Sequence, residues 1–321
     1  MSIWRLSLVL VLLAPATGRC APEDIRAPAA FTIPYGAGAA QVGRDTAPGS
    51  PREYSGPSSV RAGAGGELLV CDPRNQRVLR FAPAGQLLGS VTYPAADAHD
   101  AETAGVDAMS DRDRNICVLE LASRTLLRFS PDGKPLPAWQ VPATGSAIFN
   151  AVAPDAAGDP MVFDGNDNHV VRFDAKGQAS TVRAGIAQSL TMDAGRFLTL
   201  EFPDGGSAKA ITIWRVDPAT GTKDQPVAVA LAEPANQFQL LGTDGAGRFY
   251  VEVTFGAVEK PDRRQVLVIS PAGKLLEGIP VPPPPTAFRM VSSRVVLPGG
   301  GFLTATDTPA GLEIRPHALA H

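Results

Sequence analysis

The 321-residue chain has little of what dense chemistry needs: three cysteines, four histidines and 6% aromatics. Three cysteines cannot build the disulfide framework of a small stapled fold. No H-E-x-x-H pair and no G-x-S-x-G elbow occurs, which removes the two commonest hydrolase signatures. There is no basic block and the formal net charge is −3, so nucleic-acid binding through phosphate neutralisation is not expected. The longest apolar stretch, Leu6 to Leu13, is far short of the ~20 residues of a membrane-spanning helix. What is abundant is glycine, 32 residues, and proline, 30 residues, scattered along the whole sequence. Both break helices, so a helical bundle is excluded, and the lack of a G-x-y period excludes collagen. Hydrophobic residues at 44% are enough for a substantial core.

The first twenty residues read as an export leader. Arg5 supplies the positive end, Leu6 to Leu13 the apolar centre, and Ala14-Pro15-Ala16 an A-x-A cleavage site. Cys20 stands where a lipoprotein cysteine would be, although Arg19 replaces the small residue usual before it. Cys20 is therefore a candidate lipidation site, and lipidation would be the only tie to a membrane. The chain divides into a leader (1–20), a Pro/Gly-rich lead-in (21–56) and one repeat domain (57–321).

Six segments share one plan, a glycine-bearing turn followed by an apolar strand. They begin at Gly66, Arg114, Gly158, Gly195, Gly247 and Gly300, with separations of 37 to 53 residues. Most lead into a second strand that ends in a turn such as Ala82-Pro83-Ala84-Gly85 or Ser130-Pro131-Asp132-Gly133. Each unit reads as four short antiparallel strands. That period indicates propeller blades, which bury their faces only against neighbouring blades. The expectation is an all-β, six-bladed β-propeller with four-stranded antiparallel blades. The last unit is one strand short, and Phe31–Pro34 is the candidate to supply it and close the ring.

In the first blade Asp72, Asn75, Arg77, Phe81 and Gly85 follow Gly66-Glu67-Leu68-Leu69-Val70 in a pattern that resembles the NHL repeat. Asp164, Asn168, Arg172, Phe173 and Gly177 repeat part of it, with His169 after the Asn, and Glu120, Ser123 and Thr125 are weaker counterparts. The resemblance covers residues 56–316 at the level of fold. It implies a binding module, since NHL propellers include protein- and RNA-binding proteins. Related six-bladed propellers include lactonases and amidating lyases. Such a fold names no reaction by itself.

The first strand of each blade should line the central tunnel. Those strands carry Arg61, Asp107, Asn150 and Gln239, with Ser59, Ser189 and Ser292, and no histidine. One clear carboxylate does not make a metal centre, so neither catalytic residues nor a cofactor are expected. His99, with Asp97, Asp100 and Glu102, reads as a solvated loop, and Asp164 to Asn168 as a turn, because Arg172 stands where a calcium loop needs Glu. His317 and His321 read as peripheral. Cys71 and Cys117 occupy equivalent strands with the same facing, so they should not meet and should be buried free thiols.

Long connections gather on one rim, at 93–103, 204–210, 255–264 and 279–286. Lys209, Lys260, Asp262, Arg263 and Arg264 make its charged candidate contacts. The sequence therefore indicates an exported, periplasmic or extracellular monomer that binds a protein, peptide or glycan through this rim. The alternatives are a tunnel-site hydrolase or lyase and a cell-envelope scaffold.

Overall fold

The computed structural model describes residues 29–320 except 45–55, 95–106, 121–122, 143–148, 165–168, 184–191, 194–195, 203–207, 218–219, 258–259, 285–289 and 291. At 149–150, 182–183, 192–193, 257 and 260–262 only the backbone is described. The leader with Cys20, the loop around His99, the turn at 165–168, Ser189 and His321 lie outside the described residues.

Strand β1 (Phe31–Ile33) comes first in the chain. The first sheet is β2 (Ser59–Ala62), β3 (Leu68–Asp72), β4 (Arg77–Phe81) and β5 (Leu87–Thr92). The second is β6 (Asp107–Ser110), β7 (Ile116–Glu120), β8 (Thr125–Phe129) and β9 (Pro135–Gln140). The third is β10 (Phe149–Pro154), β11 (Pro160–Asp164), β12 (His169–Phe173) and β13 (Ala179–Arg183). Seven strands follow in one sheet: β14 (Met192–Asp193), β15 (Arg196–Glu201), β16 (Ala208–Val216), β17 (Lys223–Thr243), β18 (Phe249–Ala257), β19 (Lys260–Ile269) and β20 (Leu275–Pro280). The last sheet is β21 (Arg294–Val296), β22 (Phe302–Thr308) and β23 (Gly311–His317), with β1 on its outer edge.

The fold is an all-β propeller built from four-stranded antiparallel sheets. The expected count of six separate sheets is corrected to five, because the fourth and fifth repeats are joined. The cause is β17, which is 21 residues long. Its first half pairs with β16 continuously as far as Ala230, a bulge then sets Ala208 of β16 opposite Ala235, and the second half pairs with β18 from Ala235 onward. Pro234, which has no N–H to donate, lies between these partners, where no ladder bond is required of it. A proline that reads as a strand breaker therefore sits inside an unbroken extended segment.

The second strand of each early repeat is buried along its whole length, as in β3, β7 and β11. A strand covered on both faces reads as a continuous apolar run instead of an alternating one. Leu69, Cys71 and Val78 pack on Ala108, Ile116 and Val118 of the second sheet. Cys117, Leu119 and Leu126 pack on Val152, Val162 and Val171 of the third. Both thiols are free and buried, each facing the following sheet, as the strand parity predicted. Within the seven-stranded sheet, Leu198, Ile211 and Val229 of one half share a cluster with Phe249, Val251 and Leu267 of the other.

β1 pairs antiparallel with β23, setting Phe31 opposite Ile314 and Ile33 opposite Leu312. Ile33 and Val42 join a cluster with Val60, Leu79, Leu303 and Ile314, drawn from the first and last sheets. Gly85 closes the β4–β5 turn at φ +85°, a left-handed conformation, and its missing side chain leaves room for the Phe31 ring. His317 is not peripheral, as the sequence suggested. It lies in β23, stacks on Phe302 with ring centroids 4.6 Å apart, and its Nε2 is 3.1 Å from Thr304 Oγ1.

Candidate functional site

The polar side chains divide into those that brace the blades and those left facing a cavity. In the bracing set, an acid in the turn between first and second strands captures an arginine of the third strand. Asp111 Oδ1 accepts from the Asp113 and Asn115 N–H groups, while its Oδ2 accepts from Arg128 at 3.3 Å. Asp155 does the same with Ala157, Asp159 and Arg172, while Asp244 takes Ala246 and Arg248 from its own turn. In the first sheet Glu67 replaces the aspartate and takes Arg80 Nε at 2.9 Å. In the first three sheets the signal in the sequence is an arginine directly before the phenylalanine that ends the third strand, as at Arg80, Arg128 and Arg172.

The first-blade residues that resemble the NHL pattern hold the lead-in. Asp72 Oδ1 accepts from the Gly43 N–H at 2.9 Å, and its Oδ2 accepts from Asn75 Nδ2 at 2.8 Å and Arg77 Nε at 3.0 Å. Asn75 also donates to the Gly36 carbonyl, and Arg77 to the carbonyls of Gly38 and Gln41. Tyr35 donates its hydroxyl to Asp307 at 2.6 Å, and Arg44 lies 3.2 Å from the same carboxylate. The signature residues of the first blade thus clasp residues 36–43.

The tunnel candidates are largely committed to structure. Arg61 gives Nε to Asp107 Oδ1 at 2.9 Å and Nη2 to Oδ2 at 2.6 Å, a two-point fork. Asp107 also accepts the N–H groups of Ala108 and Val152. The Asp107 carboxylate therefore ties three sheets together and has little capacity left for a ligand. Ser59 and Ser292 form a bridge between the first and last sheets, where the Val60 N–H donates to the Ser292 carbonyl at 2.9 Å. Asn150 lies in β10, where only backbone is described.

Gln239 is different. Strand register sets Gln239 opposite Glu252, and sets Gln237, Thr254 and Arg264 in one row. Directly paired residues share a sheet face, so these five project together. Phe238 and Leu240 alternate to the other face and pack in the core of the seven-stranded sheet. Together these residues line a cavity of about 330 Å³. Deeper on the same face, Tyr250, Val266 and Val268 pack against Phe302 of the last sheet.

Two arginines share the acid in this cavity. Arg264 Nη1 is 3.2 Å from Glu252 Oε1, and Arg294 Nε from β21 is 3.1 Å from Oε2. Arg294 is almost wholly buried and also donates to the Pro282 carbonyl at 2.6 Å. Burial pulls its guanidinium below the usual value, and Glu252 opposes that shift. Two positive charges against one negative leave this corner with a local excess of one.

The rim candidates fall into two groups. The 204–210 and 255–264 segments, expected as loops, are partly strand: β16 begins at Ala208, and β18 and β19 form a hairpin whose pairing reaches Ala257 and Lys260. The pairing of Ala208 and Ala210 with β17, and of Arg263 and Arg264 with β18, explains this, since each has a strand partner. Lys209 is exposed on β16. Arg263 pairs with Glu233 and lies 4.4 Å over the Phe255 ring. Arg264 turns into the cavity, while Lys260 and Asp262 lie in β19, where only backbone is described. Among the described residues no group of three His, Cys, Asp or Glu side chains is placed to hold a metal.

Fold and cavity define the chain as a β-propeller protein with a polar cavity on its seven-stranded sheet. No protein-family model and no curated protein matches the sequence. Among solved structures, a chain of hydrazine synthase from Kuenenia stuttgartiensis is similar over 85% of this chain and 99% of its own, at 10% identity and TM-score 0.50. Virginiamycin B lyase from Staphylococcus aureus is similar over 83% of this chain and 85% of its own, at 10% identity and TM-score 0.45. A putative gluconolactonase is similar over 83% of this chain and 90% of its own, at 15% identity and TM-score 0.47. At these identities the likeness concerns the fold alone.

Proposed function

We propose that this protein is an exported propeller that acts as a binding module, receiving a protein, peptide or glycan on the rim formed by β17, β18 and β19. The observation that carries this reading is the cavity of about 330 Å³, where tunnel candidate Gln239 and rim candidate Arg264 meet. Small-molecule and side-chain sites of ~300–1,000 Å³ typically combine such a recess with a few convergent polar groups. The neighbouring β18–β19 hairpin gives the recess a wall. A hydrolase reading lacks comparable support, because Asp107, its tunnel carboxylate candidate, already accepts four hydrogen bonds.

The six-bladed, NHL-type description belongs to the same proposal. The seven-stranded sheet is read as two blades sharing β17, supported by the core cluster between its halves. The strand β1 is read as the closing strand of the last blade, supported by its pairing with β23 and by the Ser59–Ser292 bridge. The leader at 1–20 supports export, and Cys20 supports a lipid anchor as a variant of it.

The test is recovery of partners from a cell-envelope extract by immobilised full-length chain, against a variant lacking residues 257–263. The account expects a defined set of partners to be lost with the hairpin tip. Equal recovery by both proteins would remove the rim from consideration. Stoichiometric metal in the purified protein, with a chelator-sensitive activity, would favour the hydrolase reading instead.

A further inference from the structure

We infer that the β17–β19 cavity recognises a hydroxyl-rich carboxylate, of the kind a hexuronic acid residue of a glycan presents. This rests on the binding-module reading and specifies what its recess takes. Arg264 spends one N–H on Glu252, and a guanidinium carries five, so four have no partner among the described residues. That fork matches a second carboxylate, and the local excess of one positive charge favours an anion over a cation. Arg294 is held by Glu252 and by the Pro282 carbonyl, so it secures the acid and leaves Arg264 as the group that faces a ligand.

The remaining lining selects what surrounds the carboxylate. Gln237 and Gln239 each carry an amide donor and acceptor, and Thr254 adds a hydroxyl. Sugar hydroxyls both donate and accept, so they match this row. An acidic peptide side chain brings an aliphatic stem and an acceptor-only head, and would leave the Gln carbonyls to water. Gln237 and Gln239 are exposed at the mouth of the recess, so the row selects by offering paired donors and acceptors that sugar hydroxyls fill better than an acid side chain does. At about 330 Å³ the recess accepts a single ring and not an extended chain. The rest of a glycan would run out along the rim.

The experiment is calorimetric titration of the full-length protein with D-glucuronate, D-glucose and N-acetyl-glutamate amide. Saturable binding of glucuronate is expected, with glucose weaker by about tenfold or more, since a charge-assisted hydrogen bond is lost. Arg264→Gln should lose that preference and keep its thermal midpoint, because Arg294 still holds Glu252. Arg264→Lys, which keeps the charge without the fork, should recover part of it. Gln239→Ala should weaken glucuronate and leave N-acetyl-glutamate amide unchanged. Undiminished glucuronate binding by Arg264→Gln overturns the site. Equal affinity for N-acetyl-glutamate amide overturns the glycan in favour of an acidic peptide. Absence of binding by any of the three probes, with hairpin-dependent partner recovery intact, overturns this inference and leaves the binding-module reading standing.

Discussion

Arg294 and Glu252 form a buried ion pair between two sheets, at 3.1 Å, with side-chain exposures of 3% and 7%. The pair joins β21 to β18 beneath the cavity, and Arg264 completes it from β19. Removing one member strands a charge away from water. Glu252→Ala should therefore lower unfolding free energy by about 3 kcal/mol, read from urea denaturation. A change near zero would mean the pair is solvated and contributes little.

The lead-in should be equally consequential. Ile33 is 1% exposed and sits between the first and last sheets. Ile33→Ala should cost about 3 kcal/mol, as deletions of buried aliphatic side chains do. Asp72→Ala should give a loss of similar sign, because Gly43, Asn75 and Arg77 all lose their acceptor. Deleting residues 29–36 should lower the melting temperature more than either substitution. Calorimetry checks all three, and an unchanged midpoint in the deletion would contradict the role given to β1.

His317 gives the fold a dependence on pH. Burial lowers its pKa, and Arg294 and Arg315 lower it further. Protonation is thus harder in the folded chain than in the unfolded one. The stabilisation is complete above the ordinary value of about 6.5, and is lost as pH falls through it toward the lowered value. His317→Phe, which keeps the stack on Phe302, should flatten the fall in stability below the ordinary histidine pKa of about 6.5. A variant with the wild-type slope would assign the dependence to other groups.

The two thiols should be inert in the native protein. Burial pushes Cys71 well above its ordinary range and Cys117 up to about 12. The thiolate is the reactive form, so neither should react with a disulfide reagent near pH 8. Two thiols should become reactive in urea, counted in a Cys20→Ser background. Rapid native labelling of Cys71 or Cys117 would show that a blade interface opens.

Much of the architecture could be read from sequence because its signals are local. The buried runs of β3, β7 and β11, and turns such as Ala82 to Gly85, repeat wherever blades stack. The continuity of β17 was not legible, since a proline disfavours a central strand, and only the handover from β16 to β18 makes Pro234 tolerable. Gln239 and Arg264 were each picked out, one for the tunnel and one for the rim. Their meeting depends on register across β17, β18 and β19, which no single segment encodes. Arg294 was missed, because nothing local marks an arginine in a short strand as the partner of an acid 42 residues earlier.

The central claim is that binding takes place in the cavity beside Arg264. Hydrogen exchange of the full-length protein, free and saturated with a recovered envelope partner, tests it directly. Slowed exchange should be confined to the backbone at 237–240, 252–254 and 260–266. Protection that leaves these segments unchanged and falls on another face of the propeller would contradict the account.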